Sequence, residues 1–401
     1  MVMSHTIAII GAGPAGLMAA DILSRHYGNK ASITLYEAMP TAGRKFLMAG
    51  KSGLNLTHSE PQNSFLERYR GNRLHMLKEA LNGFPNTSAM ELFHRYDLKT
   101  FTGSSGRVFP EVMKTAPFLR AWLTDLSERG ITIKTRHKVT GLSQDKTLTI
   151  LAQGKESTVQ ADVILFACGG GSWARLGSDG NWSTILEKNS VPCDPFRPSN
   201  CGFQVNWSTF MVDKWAGIPV KACQLGSGSQ RSSAEFVITR SGIEGSAIYS
   251  LSNALLETKN LQIDLSPQRS YAHLVEQLSK PRGKESLSNF LRKRVNIKGV
   301  KLALLREVLA AEEMNNPTVL AQTIKSLSLD IIGPQPLDQA ISTSGGLPME
   351  ALNKNWMITS LDGCFAAGEM LDWDAPTGGY LLTACWATGK AAAEGIIHYL
   401  K

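Results

Sequence analysis

The sequence predicts an α/β fold, a parallel sheet drawn from both ends of the chain and divided by an insert, on three observations. An apolar run, Ile7 to Ile10, passes through Gly11-Ala12-Gly13-Pro14-Ala15-Gly16 directly into a helical pattern rich in Ala, Leu and Met. A second apolar run, Ser32 to Tyr36, follows at the spacing of a βαβ unit and ends in Glu37. Two later strand-like runs, Asp162 to Ala167 and Gly363 to Ala367, also lead into glycines. Strands buried on both faces read as continuous apolar runs, so these segments belong to one parallel sheet.

The first glycine turn has a physical reading. Gly11 permits the tight strand-to-helix turn, Gly13 lets backbone approach a diphosphate, and Gly16 lets the helix pack closely on the strand. Pro14 and Ala15 open the helix, whose free N–H groups and positive dipole end face the phosphates. Glu37, about 20 residues beyond the glycines, accepts hydrogen bonds from a ribose hydroxyl, with Ala38 beside it. The pattern predicts a Rossmann-like dinucleotide site.

A chain of 401 residues suffices for two or three domains and a large core. Hydrophobic residues at 43% and charged residues at 19% exclude a disordered chain. The opening apolar run is too short for a membrane span and lacks a basic lead-in and a cleavage site, so it reads as a core strand, with the cytoplasm as expected compartment. The six cysteines form no Cys-x-x-Cys pair, which argues against a metal cluster or a redox dithiol. Cys168, Cys364 and Cys385 lie in apolar segments and read as buried small hydrophobes. The formal charge of +8 points weakly to a polyanionic partner.

After Glu37, residues 40–57 read as a loop dense in glycine and cations; Arg44 and Lys45 are placed to meet phosphate or ribityl oxygens. Residues 61–98 read as amphipathic helix, and Gly103 to Pro110 as a turn around a buried Arg107. A helix from Ala116 to Glu128 leads into a strand from Ile131 to Lys134, and alternating strand patterns follow at Lys138 to Leu142 and Leu148 to Ile150. Beyond residue 193, short alternating runs suggest a small β unit. Ser241 to Gly245 reads as the opening of a helix reaching Leu256, and residues 267–328 as mostly helical. Lys280, Arg282 and Lys284, then Arg292, Lys293, Arg294, Lys298 and Lys301, concentrate positive charge with little acidic relief.

The closing segment decides which dinucleotide is expected. A nicotinamide site is normally completed within one contiguous domain, whereas a flavin reaching across the sheet needs a second set of contacts. Gly368-Glu369 and then Thr377-Gly378-Gly379-Tyr380 at a helix start supply one, with backbone N–H groups facing the N1 and O2 edge of the ring. No second Gly-x-Gly-x-x-Gly follows a strand, so NAD(P)H is expected only as a transient electron donor.

Gly11 to Gly16, Gly43-Arg44-Lys45, Gly106-Arg107-Val108-Phe109-Pro110, Ala167 to Gly170, Gly368-Glu369 and Pro376 to Tyr380 together resemble the YhiN-like (HI0933-like) family of bacterial FAD-dependent flavoproteins. The resemblance runs in the same order over nearly the whole chain. It implies a Rossmann-like FAD-binding domain of the glutathione-reductase type, split by an inserted β-barrel and a helical subdomain. The expected boundaries are 1–192 and 341–401 for the FAD domain, 193–266 and 326–340 for the barrel, and 267–325 for the helices. It also implies noncovalent FAD, held by the residues above together with Asn55, Val139, Gly169 and Gly170. Where many relatives carry Arg-Cys-Asn this chain has Gly53-Leu54-Asn55, and where they show Ser-Gly-Pro-Ala it has Glu244-Gly245-Ser246-Ala247.

The activities the resemblance implies are reduction of carbon–carbon double bonds, amine oxidation, and dihydrouridine formation in ribosomal RNA. For hydride transfer through flavin N5 to an activated double bond of a small molecule, the candidates for substrate placement or proton transfer are Arg107, Arg240, Glu244, Asp372 and Asp374. For an RNA substrate, the eight basic residues from Lys280 to Lys301 are the candidate phosphate contacts. A flavin-binding protein without turnover is the third class.

Overall fold

The structure, a computed structural model, describes residues 5–50 and 53–401; the expected loop residues Lys51 and Ser52 lie outside the described set. The chain divides into two compact units, one made of residues 1–197 and 342–401, the other of residues 198–341.

The first unit is built on five parallel strands: β1 (His5–Ile10), β2 (Ala31–Glu37), β3 (Thr132–Thr135), β4 (Val163–Phe166) and β5 (Cys364–Ala366), in the order β5-β4-β1-β2-β3. Every residue of β4, and the last four of β1, is buried, as their uninterrupted apolar sequence requires. The helices that concern the site are α1 (Pro14–Tyr27), α2 (Arg44–Ala49), α3 (Ala116–Glu128) and α4 (Tyr380–Tyr399). Helices α1 and α4 pack closely: a Cβ at Gly389 of α4 would lie 2.4 Å from the Ala15 carbonyl oxygen. Only a residue without a side chain lets the two backbones approach this far.

Three local expectations change. The basic loop after β2 contains α2, because Gly43 takes the left-handed conformation (φ 66°) and Arg-Lys-Phe-Leu-Met-Ala has good helix formers throughout. The helical stretch at 61–98 is three helices, Gln62–Leu66, His75–Gly83 and Asn86–His94, with Pro85 separating the last two. Arg107 lies on a strand, Arg107–Pro110, in a three-stranded antiparallel sheet with Thr57–His58 and Thr100–Thr102, and is half-buried.

The second unit has a separate hydrophobic core. Its strands form a five-stranded and a four-stranded sheet; neither closes on itself through a hydrogen-bonded pair among the described residues. Gly242–Glu244 is a strand rather than a helix start, and the helix expected to Leu256 is two short ones, Ser246–Ser250 and Ser252–Thr258. Gly242 explains this: at φ 157° it is extended, and a Cβ there would lie 1.8 Å from the Phe203 carbonyl oxygen of the neighbouring strand. The longest run of helices is Tyr271–Leu278, Leu287–Val295, Val300–Val308 and Pro317–Lys325.

Candidate functional site

At the head of α1 the three glycines differ. Gly11 has φ 100°, and a Cβ there would lie 2.4 Å from the Ala167 carbonyl oxygen at the end of β4. A Cβ at Gly16 would lie 2.0 Å from the Gly11 carbonyl oxygen. Protein packing thus demands both. Gly13 has an ordinary φ of −85°, and a Cβ there would meet nothing within 4 Å. Its glycine leaves an open face beside the first-turn N–H groups of α1, which have no intrahelical acceptor. That is the cradle a diphosphate needs.

The turn is tied to its neighbours through backbone. Gly11 N–H donates to Tyr36 O at 2.8 Å, and Gly43 N–H donates to Ala12 O at 2.9 Å, which brings α2 against the turn. The Glu37 carboxylate accepts from Ala12 N–H at 3.0 Å and from Met39 N–H at 2.8 Å. Burial pushes the Glu37 carboxyl up despite those two hydrogen bonds. Among the described residues, Arg44 Nε, on α2, and Asn55 Oδ1 are buried polar atoms without a partner. Unpaired buried polar atoms are costly in a folded chain, so both fit a polar ligand such as a dinucleotide. Ala38 is exposed, and Val139 is buried at a bulge in the strand His137–Leu142.

A second cluster unites residues far apart in sequence. Lys45 Nζ, on α2, donates to Glu369 at 2.8 Å and to Ser172 Oγ at 2.9 Å. Thr343 N–H donates to the same carboxylate at 3.3 Å, and the Thr343 hydroxyl accepts from Gly171 N–H at 3.1 Å. Gly170 is required here, since a Cβ would lie 2.1 Å from Thr343 Oγ1; the neighbouring Gly169 carbonyl accepts from Trp182 Nε1 at 2.8 Å. A Cβ at Gly368 would lie 2.9 Å from Ala15 Cβ, so the two chain ends meet at this point. Cys385 lies alongside, its thiol pushed up to about 12 by burial and then by the Glu369 charge. Ser172 and Thr343 were not among the predicted site residues. Ser172 directly follows Gly169 to Gly171, and Thr343 stands two positions before Gly345-Gly346, which was the available signal.

The turn before α4 is held by contacts with the strand Thr57–His58 and with Glu60. Gly379 has φ 91° and packs on Thr57, where a Cβ would lie 2.3 Å from the Thr57 Cα. The Tyr380 hydroxyl donates to Glu60. Burial, reinforced by that carboxylate, pushes the Tyr380 phenol up. Burial of Glu60 is outweighed by hydrogen bonds from Arg68 and Tyr380, which hold its carboxyl below the usual range. The His58 ring stacks on Tyr380 with centroids 5.6 Å apart. Nothing in the sequence singled out His58 or Glu60.

Two catalytic candidates are held by backbone. The Asp372 carboxylate accepts from Gly345 N–H at 2.8 Å, and Asp374 is buried with its backbone paired to Arg70. Arg240 and Glu244 are exposed on the second unit. Of the eight basic candidates, Arg282, Lys284, Arg292, Lys293, Arg294 and Lys298 are exposed; Lys293 pairs with Glu285, and half-buried Lys280 pairs with Glu276. Lys301 is spent on the Ala222 and Leu265 carbonyls, at 2.7 and 2.6 Å, so its ammonium serves the fold. Among the described residues, no helix is long and apolar enough to cross a membrane. Cys364 is buried as expected; Cys168 and Cys385 are half-buried, and all six cysteines are free thiols.

A family model, the HI0933-like protein Rossmann domain, matches residues 5–395. A 3-dehydro-bile acid Δ4,6-reductase of Clostridium scindens is 27% identical, the alignment covering 97% of this chain and 99% of that one. A ribosomal RNA dihydrouridine synthase of Haemophilus influenzae is 24% identical, with 97% of each chain covered. Among solved structures, a 3-ketosteroid-Δ4-(5α)-dehydrogenase from Rhodococcus jostii superposes with a TM-score of 0.52 at 13% identity, over 98% of this chain and 97% of that one. The FrdA subunit of Escherichia coli quinol fumarate reductase gives 0.51 at 13% identity, over 99% and 70%. At such identities these two speak to the fold alone. With a Rossmann-like parallel sheet, an open glycine turn at the head of α1 and a family match over nearly its full length, the chain belongs to the HI0933-like family of FAD-dependent oxidoreductases.

Proposed function

We propose that this chain holds FAD noncovalently and reduces an activated carbon–carbon double bond of a small molecule, with NAD(P)H as a transient donor. The observation that carries the cofactor assignment is the meeting of the open Gly13 turn with Gly368-Glu369 through the Gly368–Ala15 contact. A cofactor long enough to run from one to the other finds polar groups at both. The open face at Gly13 and the head of α1 suit its diphosphate, Glu37 its ribose, Arg44 and Asn55 its remaining polar edges, and Glu369 with Lys45 its ribityl chain. Amides of the Thr377 to Gly379 turn suit the pyrimidine edge of the ring, where negative charge grows on reduction. When bound, FAD supplies two-electron hydride chemistry that no side chain can. The name of the Clostridium relative supports double-bond reduction, since it too is covered almost end to end.

A second reading, reduction of a uridine in RNA, draws on the exposed cations Arg282, Lys284, Arg292, Arg294 and Lys298 and on the name of the Haemophilus relative. One experiment separates the two. The purified protein is expected to be yellow, to bleach anaerobically with NADPH, and to recover its colour when an α,β-unsaturated ketone is added. Recovery with structured RNA but not with the enone favours the second reading. Bleaching by an amine, with peroxide formed in air, means an oxidase. A colourless preparation that takes up no added FAD overturns the cofactor assignment itself.

A further inference from the structure

The three-stranded sheet of Thr57–His58, Arg107–Pro110 and Thr100–Thr102 has two unlike faces. Thr57 stands opposite Val108 and His58 opposite Arg107, while Phe101 stands opposite Phe109. Directly opposed residues share a face, as do next-but-one residues along a strand. One face therefore carries Thr57 and Val108, both fully buried. The other carries His58, Arg107, Phe109 and Phe101 in a row.

That row starts at the candidate flavin site. His58 stacks on Tyr380, the residue after Gly378-Gly379, while its neighbour Thr57 supports Gly379 from below. The His58 ring is fixed at both nitrogens: Nδ1 accepts from Glu60 N–H at 3.2 Å, and Nε2 donates to Ser105 O at 3.0 Å. Arg107 comes next, half-buried, and among the described residues its side chain has no ion pair or hydrogen bond. A guanidinium in that position lacks the anion it is shaped to hold in a two-pronged grip. Farther along, the Phe109 and Phe101 rings stack with centroids 5.7 Å apart and planes 28° apart. Phe101 is 43% exposed, and Val112 and Met113 just beyond the strand are also exposed. A stacked, partly exposed aromatic pair offers a flat apolar surface beside the Arg107 cation.

We propose that this face is the substrate platform and takes a flat, ring-containing apolar carboxylate, its anionic group on Arg107 and its skeleton along Phe109 and Phe101. The proposal rests on the double-bond-reduction reading and adds to it the class of molecule that is reduced. The test uses FAD-loaded protein and calorimetric titration with three probes: 2-naphthoate, its neutral counterpart 2-naphthamide, and succinate. We expect 2-naphthoate to bind at least tenfold more tightly than either of the others. Arg107→Gln is expected to erase the preference for naphthoate over naphthamide, and Phe101→Ser to weaken both naphthyl probes by about tenfold. Both variants should keep their bound FAD, because neither side chain is in the core. Failure of 2-naphthoate to bind, equal binding of succinate, or survival of the carboxylate preference in Arg107→Gln overturns the platform. If the enone is not reduced but the Arg107-dependent preference holds, the reaction reading falls and the platform stands as a ligand site. If the enone is reduced and Arg107→Gln leaves the preference intact, the platform falls alone.

Discussion

Gly11, Gly13 and Gly16 occupy one motif for unrelated reasons. The first and third satisfy the protein, since added methyl groups would lie 2.4 and 2.0 Å from backbone oxygens; the second satisfies only what lies outside the backbone. Gly16→Ala is therefore expected to destabilise the FAD-free protein by about 1–3 kcal/mol through overpacking. Gly13→Ala should leave that stability within about 0.5 kcal/mol and weaken FAD binding tenfold or more, which is about 1.4 kcal/mol. Thermal denaturation of the FAD-free protein and a fluorescence titration with FAD check the pair. Equal loss of stability in both variants would show that position 13 is a packing glycine after all.

Helix α1 is fastened by a buried carboxylate as well as by its glycines. Asp21, 1% exposed, receives hydrogen bonds from Arg25, from Arg95 and from Arg129 just past the end of α3. Asp125 of α3 takes Arg129 and the Tyr96 hydroxyl. Burial alone would raise the Asp21 carboxyl, but the hydrogen bonds and charges of Arg25 and Arg129 hold it below its ordinary range. The native state thus binds this proton more weakly than the unfolded chain. Its contribution is fully present above the unfolded value of about 3.9 and disappears as pH falls through the lower native value. Asp21→Asn, which leaves three guanidiniums facing a neutral amide, is expected to cost about 3 kcal/mol at neutral pH. The difference from wild type should narrow in acid. Denaturation midpoints followed from pH 7 to pH 3 test this, and parallel curves for the two proteins would count against it.

The two units have separate cores, one joining residues from Ile7 to Ile396, the other confined to Cys201 through Ala340. The first is discontinuous: β5 and α4 come from the far end of the chain, yet β5 pairs with β4 and α4 packs on α1. The second is continuous and carries its own buried Phe203, Phe236, Ile243, Leu261 and Leu304. A protein consisting of residues 198–341 is expected to fold and to unfold in one cooperative transition. Circular dichroism on heating is the check; a gradual, structureless change would mean that the insert depends on the remainder of the chain.

Much of this could be read before any coordinates. Apolar runs that lead into glycine, or at βαβ spacing into Glu37, made β1, β2, β4 and β5 legible, and α3 was legible over Ala116–Glu128. The diphosphate turn was legible because its chemistry is local: strand, glycines and helix start lie within a dozen residues. What sequence could not convey were the meetings of distant residues. The Lys45–Glu369–Ser172–Thr343 cluster joins four separate segments, and no periodicity connects them. Arg107 read as part of a turn because its strand is short and glycine-flanked; only pairing with Thr57–His58 made it extended. The partner of the Tyr380 hydroxyl, Glu60, lies 320 positions away, and nothing along the chain connects the two. Local backbone preference and burial are written along the chain, whereas a polar side chain's partner is settled by which segments the core brings together, and that is a property of the folded state.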